Sequence, residues 1–269
     1  MSISLDKFKK DFAERDPELV ELTKKSGIVL EKQNLHGLTS KVAICLDVSY
    51  SMTNLYKSGA VSALVKKLIP LGINFDDDGE IDIFTFGAQG NEEAPVNLGN
   101  YTARLNDLST MNLSGATNYA KAIELVDKHY SAEPDAKDVP VYVVFITDGD
   151  ATDKSKAEEA MRHISRLPIF FQFIALGADY IPNSEPVKKE VKKKGFFGSL
   201  FSSDETTSNS APRQFQFLCK IDDLAGRQID NAGFFAIKKP DSKSPDELYN
   251  LMMVEYPEFL VEAKRKGIL

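Results

Sequence analysis

The chain has 269 residues, 42% of them hydrophobic, enough for a sizeable core in one large domain or two small ones. Its 33 basic and 40 acidic residues give a net charge of −7, which excludes a chain that holds nucleic acid through overall electrostatics. Two cysteines (Cys45 and Cys219) cannot build a disulfide framework, three scattered histidines (His36, His129, His163) lack metal-ligand spacing, and no apolar run approaches the roughly 18 residues of a membrane span.

The first residues, "MSISLDKFKKDFAERDPELV", carry charge throughout and contain no apolar segment of signal-peptide length. A cytoplasmic, reducing setting is expected, and residues 1–38 are read as an N-terminal extension. Residues 42–47, "VAICLD", form the first apolar strand; Cys45 inside it reads as a small buried hydrophobe. Val61, Leu64, Val65, Leu68 and Ile69 make one apolar helical stripe, so a helix is expected over 55–69, stopped by Pro70 and Gly72. Residues 81–86, "IDIFTF", alternate and end at Gly87, a strand with one face less covered.

Tyr119, Ile123 and Val126 mark the next helix, and 141–147, "VYVVFIT", the next buried strand. Ala157, Ala160, Met161 and Ile164 form a further helical stripe before Pro168, and 169–176, "IFFQFIAL", a further strand. Alternating strands and helices predict an α/β fold, doubly wound, with a mostly parallel sheet between helices. Residues 39–240 are read as this domain. Within it, 185–212 stands apart, with lysines followed by Phe196, Phe197, Leu200 and Phe201 and then a Ser/Thr/Asp/Asn stretch. It reads either as a mobile surface insertion or as a docking segment for an anionic surface or a partner. Residues 241–269 read as a helical segment packed on the domain, with Ser244 as N-cap, Pro245 at the first helical position and a break at Pro257.

The first strand ends in "DVSYSM". Ligands of open α/β sheets sit beyond the carboxyl ends of the strands, and Asp47 is delivered there. Side chains two residues apart in extended backbone point the same way, so Asp47, Ser49 and Ser51 can converge. "FITDGD" brings Asp148 to the same edge, and "LSGATNYA" brings Thr117 there just ahead of a helix. Two carboxylates and three hydroxyls form an all-oxygen set, suited to a hard divalent cation and unsuited to zinc or copper. Individually, Ser49, Ser51 and Thr117 would serve as helix caps and Asp148 as a turn residue. Those local roles leave the charge of Asp47 unexplained.

The D-x-S-x-S of Asp47, Ser49 and Ser51, the separate Thr117 and the T-D-G around Asp148 resemble the metal-ion-dependent adhesion site of the von Willebrand factor A (vWA) family. "LEKQNLHGLTSKVAICLDVSYSM", "DDDGEIDIFTFG", "SGATNYAKAI", "FLCKIDDLAGRQIDNAGFFAI" and "PEFLVEAKRKGIL" look like the vWA-type domain of bacterial tellurium-resistance (Ter) proteins, over roughly residues 20–269. The resemblance implies Mg²⁺, with Mn²⁺ or Ca²⁺ as alternatives. Ser49, Ser51 and Thr117 would contact it directly or nearly so, and Asp47 and Asp148 directly or through water. It also implies a non-enzymatic, stress-linked interaction module whose protein partner offers an Asp or Glu carboxylate to the metal. Nucleic acid is not an expected partner, and membrane contact is expected only through 185–212.

A Mg²⁺-dependent phosphatase or phosphotransferase is the competing reading. It would want an aspartate nucleophile, a second carboxylate close by and a basic residue for phosphate. Asp47 has no D-x-D, and no phosphate-binding loop occurs. Residues 74–85, "NFDDDGEIDIFT", nearly fit a calcium-binding EF-hand loop, but the twelfth position is Thr85 and an alternating strand follows. They read as a polar turn, with a secondary Ca²⁺ site as the alternative. Asp222, Asp223 and Asp230 are read as capping a short helix before the strand at 234–237.

Overall fold

The computed structural model of the chain describes residues 12–182 and 211–269, residue 77 by its backbone alone. Most of the basic–aromatic 185–212 stretch therefore lies outside the described residues. Six strands form one sheet in the order β3-β2-β1-β4-β5-β6. They are β1 (Ser40–Asp47), β2 (Asp76–Phe86), β3 (Gly90–Val96), β4 (Val141–Thr147), β5 (Ile169–Leu176) and β6 (Ala232–Ile237). All neighbours pair in parallel except β3, an antiparallel edge strand on β2. The expected doubly wound α/β architecture is the one observed.

The central strands read as continuous apolar runs because both faces are covered. Val42, Ile44 and Leu46 point to one side and share a core with Tyr142, Val144 and Ile146 of β4. Four helices close that side: α1 (Pro17–Lys32), α3 (Ala60–Phe75), and α8 (Pro245–Met252) followed by α9 (Tyr256–Arg265) as a pair. Ala43 and Cys45 point the other way, into a core with Phe84, Phe86, Tyr119, Phe145 and Phe173. That side is closed by α5 (Tyr119–Ser131), α6 (Lys154–Ile164) and α7 (Gln216–Asp222). Two short helices, α2 (Thr53–Lys57) and α4 (Tyr101–Leu108), complete the set of α-helices among the described residues.

The caps at the ends follow the local sequence. Ser244 and Glu247 form a reciprocal capping box at the start of α8, with Pro245 at its first turn. The chain breaks between α8 and α9, and Pro257 falls in the first turn of α9. At the other end of the chain, Asp16 caps α1 through the N–H of Leu19 at 3.0 Å.

Two expectations are corrected. The helix expected over 55–69 is two helices, separated by Gly59 at φ 75. The second does not stop at Pro70 and Gly72 but continues to Phe75. Packing overrides the local penalty: Pro70 and Gly72 are both buried, and Gly72 lets β2 come so close that a Cβ there would stand 2.7 Å from Cγ1 of Ile81. Of the acidic 74–85 stretch, Asn74 and Phe75 end α3 and Asp76 opens β2. Asp76 accepts hydrogen bonds from the N–H groups of Val42 (2.7 Å), Gly79 (2.9 Å) and Asp78 (3.2 Å), so its oxygens hold the β1–β2 junction.

Candidate functional site

The carboxyl ends of β1, β2 and β4 lie level. Asp47 pairs with Phe86, and Leu46 with Ile146. Asp47 and Thr147 are therefore cross-strand neighbours on one face of the sheet. The Asp47 side chain is fully buried, and both oxygens are engaged: Oδ1 by the N–H of Ser49 at 2.8 Å, Oδ2 by the hydroxyl of Thr147 at 2.7 Å. Burial pushes this carboxyl up to about 6, against the lowering effect of those hydrogen bonds; the charge of Asp148 adds to the rise.

Above Asp47 the remaining oxygens form a chain. The hydroxyls of Ser49 and Ser51 are 2.9 Å apart. Ser51 donates to Oδ1 of Asp148 at 2.7 Å, which leaves Ser49 as the donor between the two serines. Asp148 is half-buried, and desolvation raises its carboxyl above the usual range, opposed by the bond from Ser51. No basic side chain figures among the groups acting on either carboxylate.

The third loop is pinned to the first two through its backbone. Ser114 N–H donates to the carbonyl of Val48 at 2.7 Å, and Asn118 N–H to the carbonyl of Gly87 at 3.1 Å. The carbonyl of Thr117 accepts from Thr152 twice, from its N–H at 2.9 Å and its hydroxyl at 3.1 Å. Asp47, Ser49, Ser51 and Asp148 are thus joined by direct hydrogen bonds, whereas Thr117 adjoins them through loop contacts and its hydroxyl bonds to none of the four.

Several supporting residues were not singled out from the sequence. Thr147 looks like one more β-branched residue of its strand. Tyr119, packed edge-on to Phe86 and 4.8 Å from Phe145, turns its hydroxyl to Thr147 and to the carbonyl of Gly149. Tyr56 donates to the carbonyl of Asp47 at 2.9 Å. Asp153 caps α5 from outside, accepting from the N–H groups of Tyr119 (2.9 Å) and Ala120 (3.0 Å), where Thr117 or Asn118 would be the local candidates. The signal for Asp153 is its position just ahead of the next helix, which the sequence alone assigns to that helix.

The donor set fits a hard divalent cation. Among the described residues no three His, Cys, Asp or Glu side chains gather to hold a metal; the donors at this edge are the hydroxyls of Ser49 and Ser51 and the carboxylates of Asp47 and Asp148. An octahedral Mg²⁺ with bonds of 2.0–2.1 Å sets adjacent ligand oxygens about 2.9 Å apart. The Ser49–Ser51 and Ser51–Asp148 separations, 2.9 and 2.7 Å, are already of that size. Two desolvated carboxylates without a basic neighbour among the described residues are also a site that a cation would stabilise.

A doubly wound sheet with one antiparallel edge strand and this loop set at its carboxyl edge is a vWA-type domain. It superposes on the vWA domain of SpRpn10 with a TM-score of 0.51 at 13% identity, over 80% of this chain and 94% of that one. It likewise superposes on proximal thread matrix protein 1 of the mussel byssus, with a TM-score of 0.50 at 12% identity, over 80% of this chain and 47% of that one. The model of the vWA-TerF-like family, the vWA found in the TerF C terminus, matches residues 39–181 and 209–269, and the chain belongs to that family. An uncharacterised Bacillus subtilis (strain 168) protein, YcbR, is 30% identical over 257 residues, 93% of this chain and 90% of its own.

Proposed function

We propose that the chain is a non-enzymatic, Mg²⁺-dependent protein-interaction module whose metal is held by Ser49, Ser51 and Thr117, with Asp47 and Asp148 acting directly or through water. One observation carries this reading: the unbroken run of oxygens from Ser49 through Ser51 to Asp148, laid over the buried carboxylate of Asp47. Membership of a vWA family supports it, since such domains usually serve protein interaction. Two carboxylates only neutralise a divalent ion, and hydroxyls bring no charge. The ion therefore remains electron-poor on its open side, where an Asp or Glu of a partner is the natural ligand. The TerF-like relationship supports a role in tellurite or related stress resistance, in the cytoplasm.

Calorimetric titration with Mg²⁺, repeated on Asp148→Ala, tests the metal. The expected result is saturable binding by the native chain, weakened at least tenfold, about 1.4 kcal/mol, in the variant. Capture of partners from native lysate should likewise require Mg²⁺ and fail in EDTA. Equal Mg²⁺ binding by both proteins would remove the site, and Mg²⁺-dependent turnover of phosphate esters lost on Asp47→Ala would replace binding with catalysis.

A further inference from the structure

Tyr50 stands between the two serines of the first loop, and it is 66% exposed while Asp47 and Ser49 are 0% and 3%. The ring has a defined seat. It lies along the backbone of Gly115 in the third loop, where an added Cβ would stand 3.4 Å from Cε2 and 3.8 Å from Cδ2. It therefore bridges the seam between two loops of the site on their solvent side. Its carbonyl accepts from Thr53 Oγ1, a backbone role any residue could fill. Its phenol oxygen has no hydrogen-bond partner among the described residues. Tyrosine gives a large contact area with little rotamer entropy to lose, which is why rings of this kind anchor interfaces.

The charges around it narrow what it contacts. Lys154, at the start of α6 beyond the Asp148 loop, is already 2.7 Å from Asp150. A partner's second acidic side chain would meet there a cation that is already paired. Resting on the metal-site reading above, we propose that Tyr50 is the specificity-determining contact of this surface. The partner segment is one in which the metal-binding Asp or Glu is flanked directly by apolar or aromatic residues that lie on the Tyr50 ring. Adjacent Cα atoms are about 3.8 Å apart, so a side chain next to the metal-bound carboxylate falls within reach of the ring. The ion reads charge and the ring reads shape.

Two capped synthetic peptides test this: Ac-Gly-Phe-Asp-Phe-Gly-NH2 and Ac-Gly-Gly-Asp-Gly-Gly-NH2, titrated into ¹⁵N-labelled protein in saturating Mg²⁺ and followed by amide shifts. The native chain should bind the phenylalanine peptide about tenfold more tightly or better. Tyr50→Phe should keep that preference, because the ring supplies it. Tyr50→Ala should lose it while calorimetric Mg²⁺ affinity stays within about twofold of native. An equal affinity for the two peptides in the native chain, or a preference that survives Tyr50→Ala, overturns the assignment. Failure of both peptides to bind in Mg²⁺, or binding that persists in EDTA, overturns the metal-site reading beneath it as well.

Discussion

Asp47 engages both carboxylate oxygens with protein donors, so it acts first as a brace for the loop and for the end of β4. Thr147→Val keeps the shape of the side chain and removes the hydroxyl that satisfies Oδ2 of Asp47. A buried carboxylate oxygen left without its donor costs about 1–3 kcal/mol, and the variant should lose that much in urea unfolding. An unchanged unfolding midpoint would mean that water replaces the hydroxyl. Asp47, Ser49, Ser51 and Asp148 were legible in the sequence because the period of a strand and the position of its end fix where oxygen-bearing side chains go. Thr147 was not. A threonine closing a β-branched run is what strand propensity alone would place there, and only the pairing of β1 with β4 gives it a partner. Asp153 was hidden for a related reason: its carboxylate caps a helix 33 residues away in sequence, and local capping rules look only to the next turn.

At the scale of elements, the sheet and most of its helices could be read from periodicity, since burial on two faces leaves apolar runs and burial on one leaves stripes. The errors fell where packing decided against local propensity. Pro70 and Gly72 signal a stop, yet α3 continues because it is pressed between β2 and the N-terminal helix, with Asn74 donating to the carbonyls of both Pro70 and Thr23. The loops at the carboxyl edge have a similar dependence on close approach. Gly87, at the end of β2, faces Ser114 so closely that a Cβ there would stand 1.9 Å from its hydroxyl oxygen. That hydroxyl accepts from the N–H of Ala88 at 2.9 Å and so ties the third loop to β2. Gly87→Ala must therefore displace the Ser114 hydroxyl, breaking its bond to Ala88, and press on Cβ of Ser114, 3.2 Å away. The expected outcome is a Mg²⁺ affinity reduced about tenfold, with a loss of about 1–3 kcal/mol in unfolding free energy. A variant with native metal affinity would mean that Thr117 is not held in place through this contact.

The whole molecule carries an imbalance of protons that unfolding should expose. Burial pushes the carboxyls of Asp76 and Asp222 up to about 8 and that of Glu255 up to about 7; Asp222 and Glu255 also repel each other. His129, on α5, is raised above 6.5, first by its bond to Asp82 of β2, with Glu92 of β3 and Glu133, just past the end of α5, adding to the rise. Each of these groups keeps its proton to a higher pH in the folded chain than in the unfolded one. For the carboxyls, stability is lost as pH rises from about 4 through their folded values; for His129, it is fully present below 6.5 and lost above it. Asp16, Glu158 and Glu262 shift the opposite way, so their contribution is lost only as pH falls below the ordinary carboxylate range and is constant above about 5. Between pH 5 and 8 the first set is left unopposed. Urea midpoints measured in EDTA at pH 5, 6, 7 and 8 should therefore decline steadily, where paired surface carboxylates alone would give a plateau. Asp222→Asn should flatten the decline across that window, because an amide has no proton to lose. His129→Gln should flatten it only above about pH 6.5, where the imidazole begins to lose its charge. Equal midpoints at pH 5 and 8 in the native chain would mean that these buried carboxyls ionise as freely as exposed ones. The acidic surround of His129 would then not be the clamp between β2, β3 and α5 that its contacts describe.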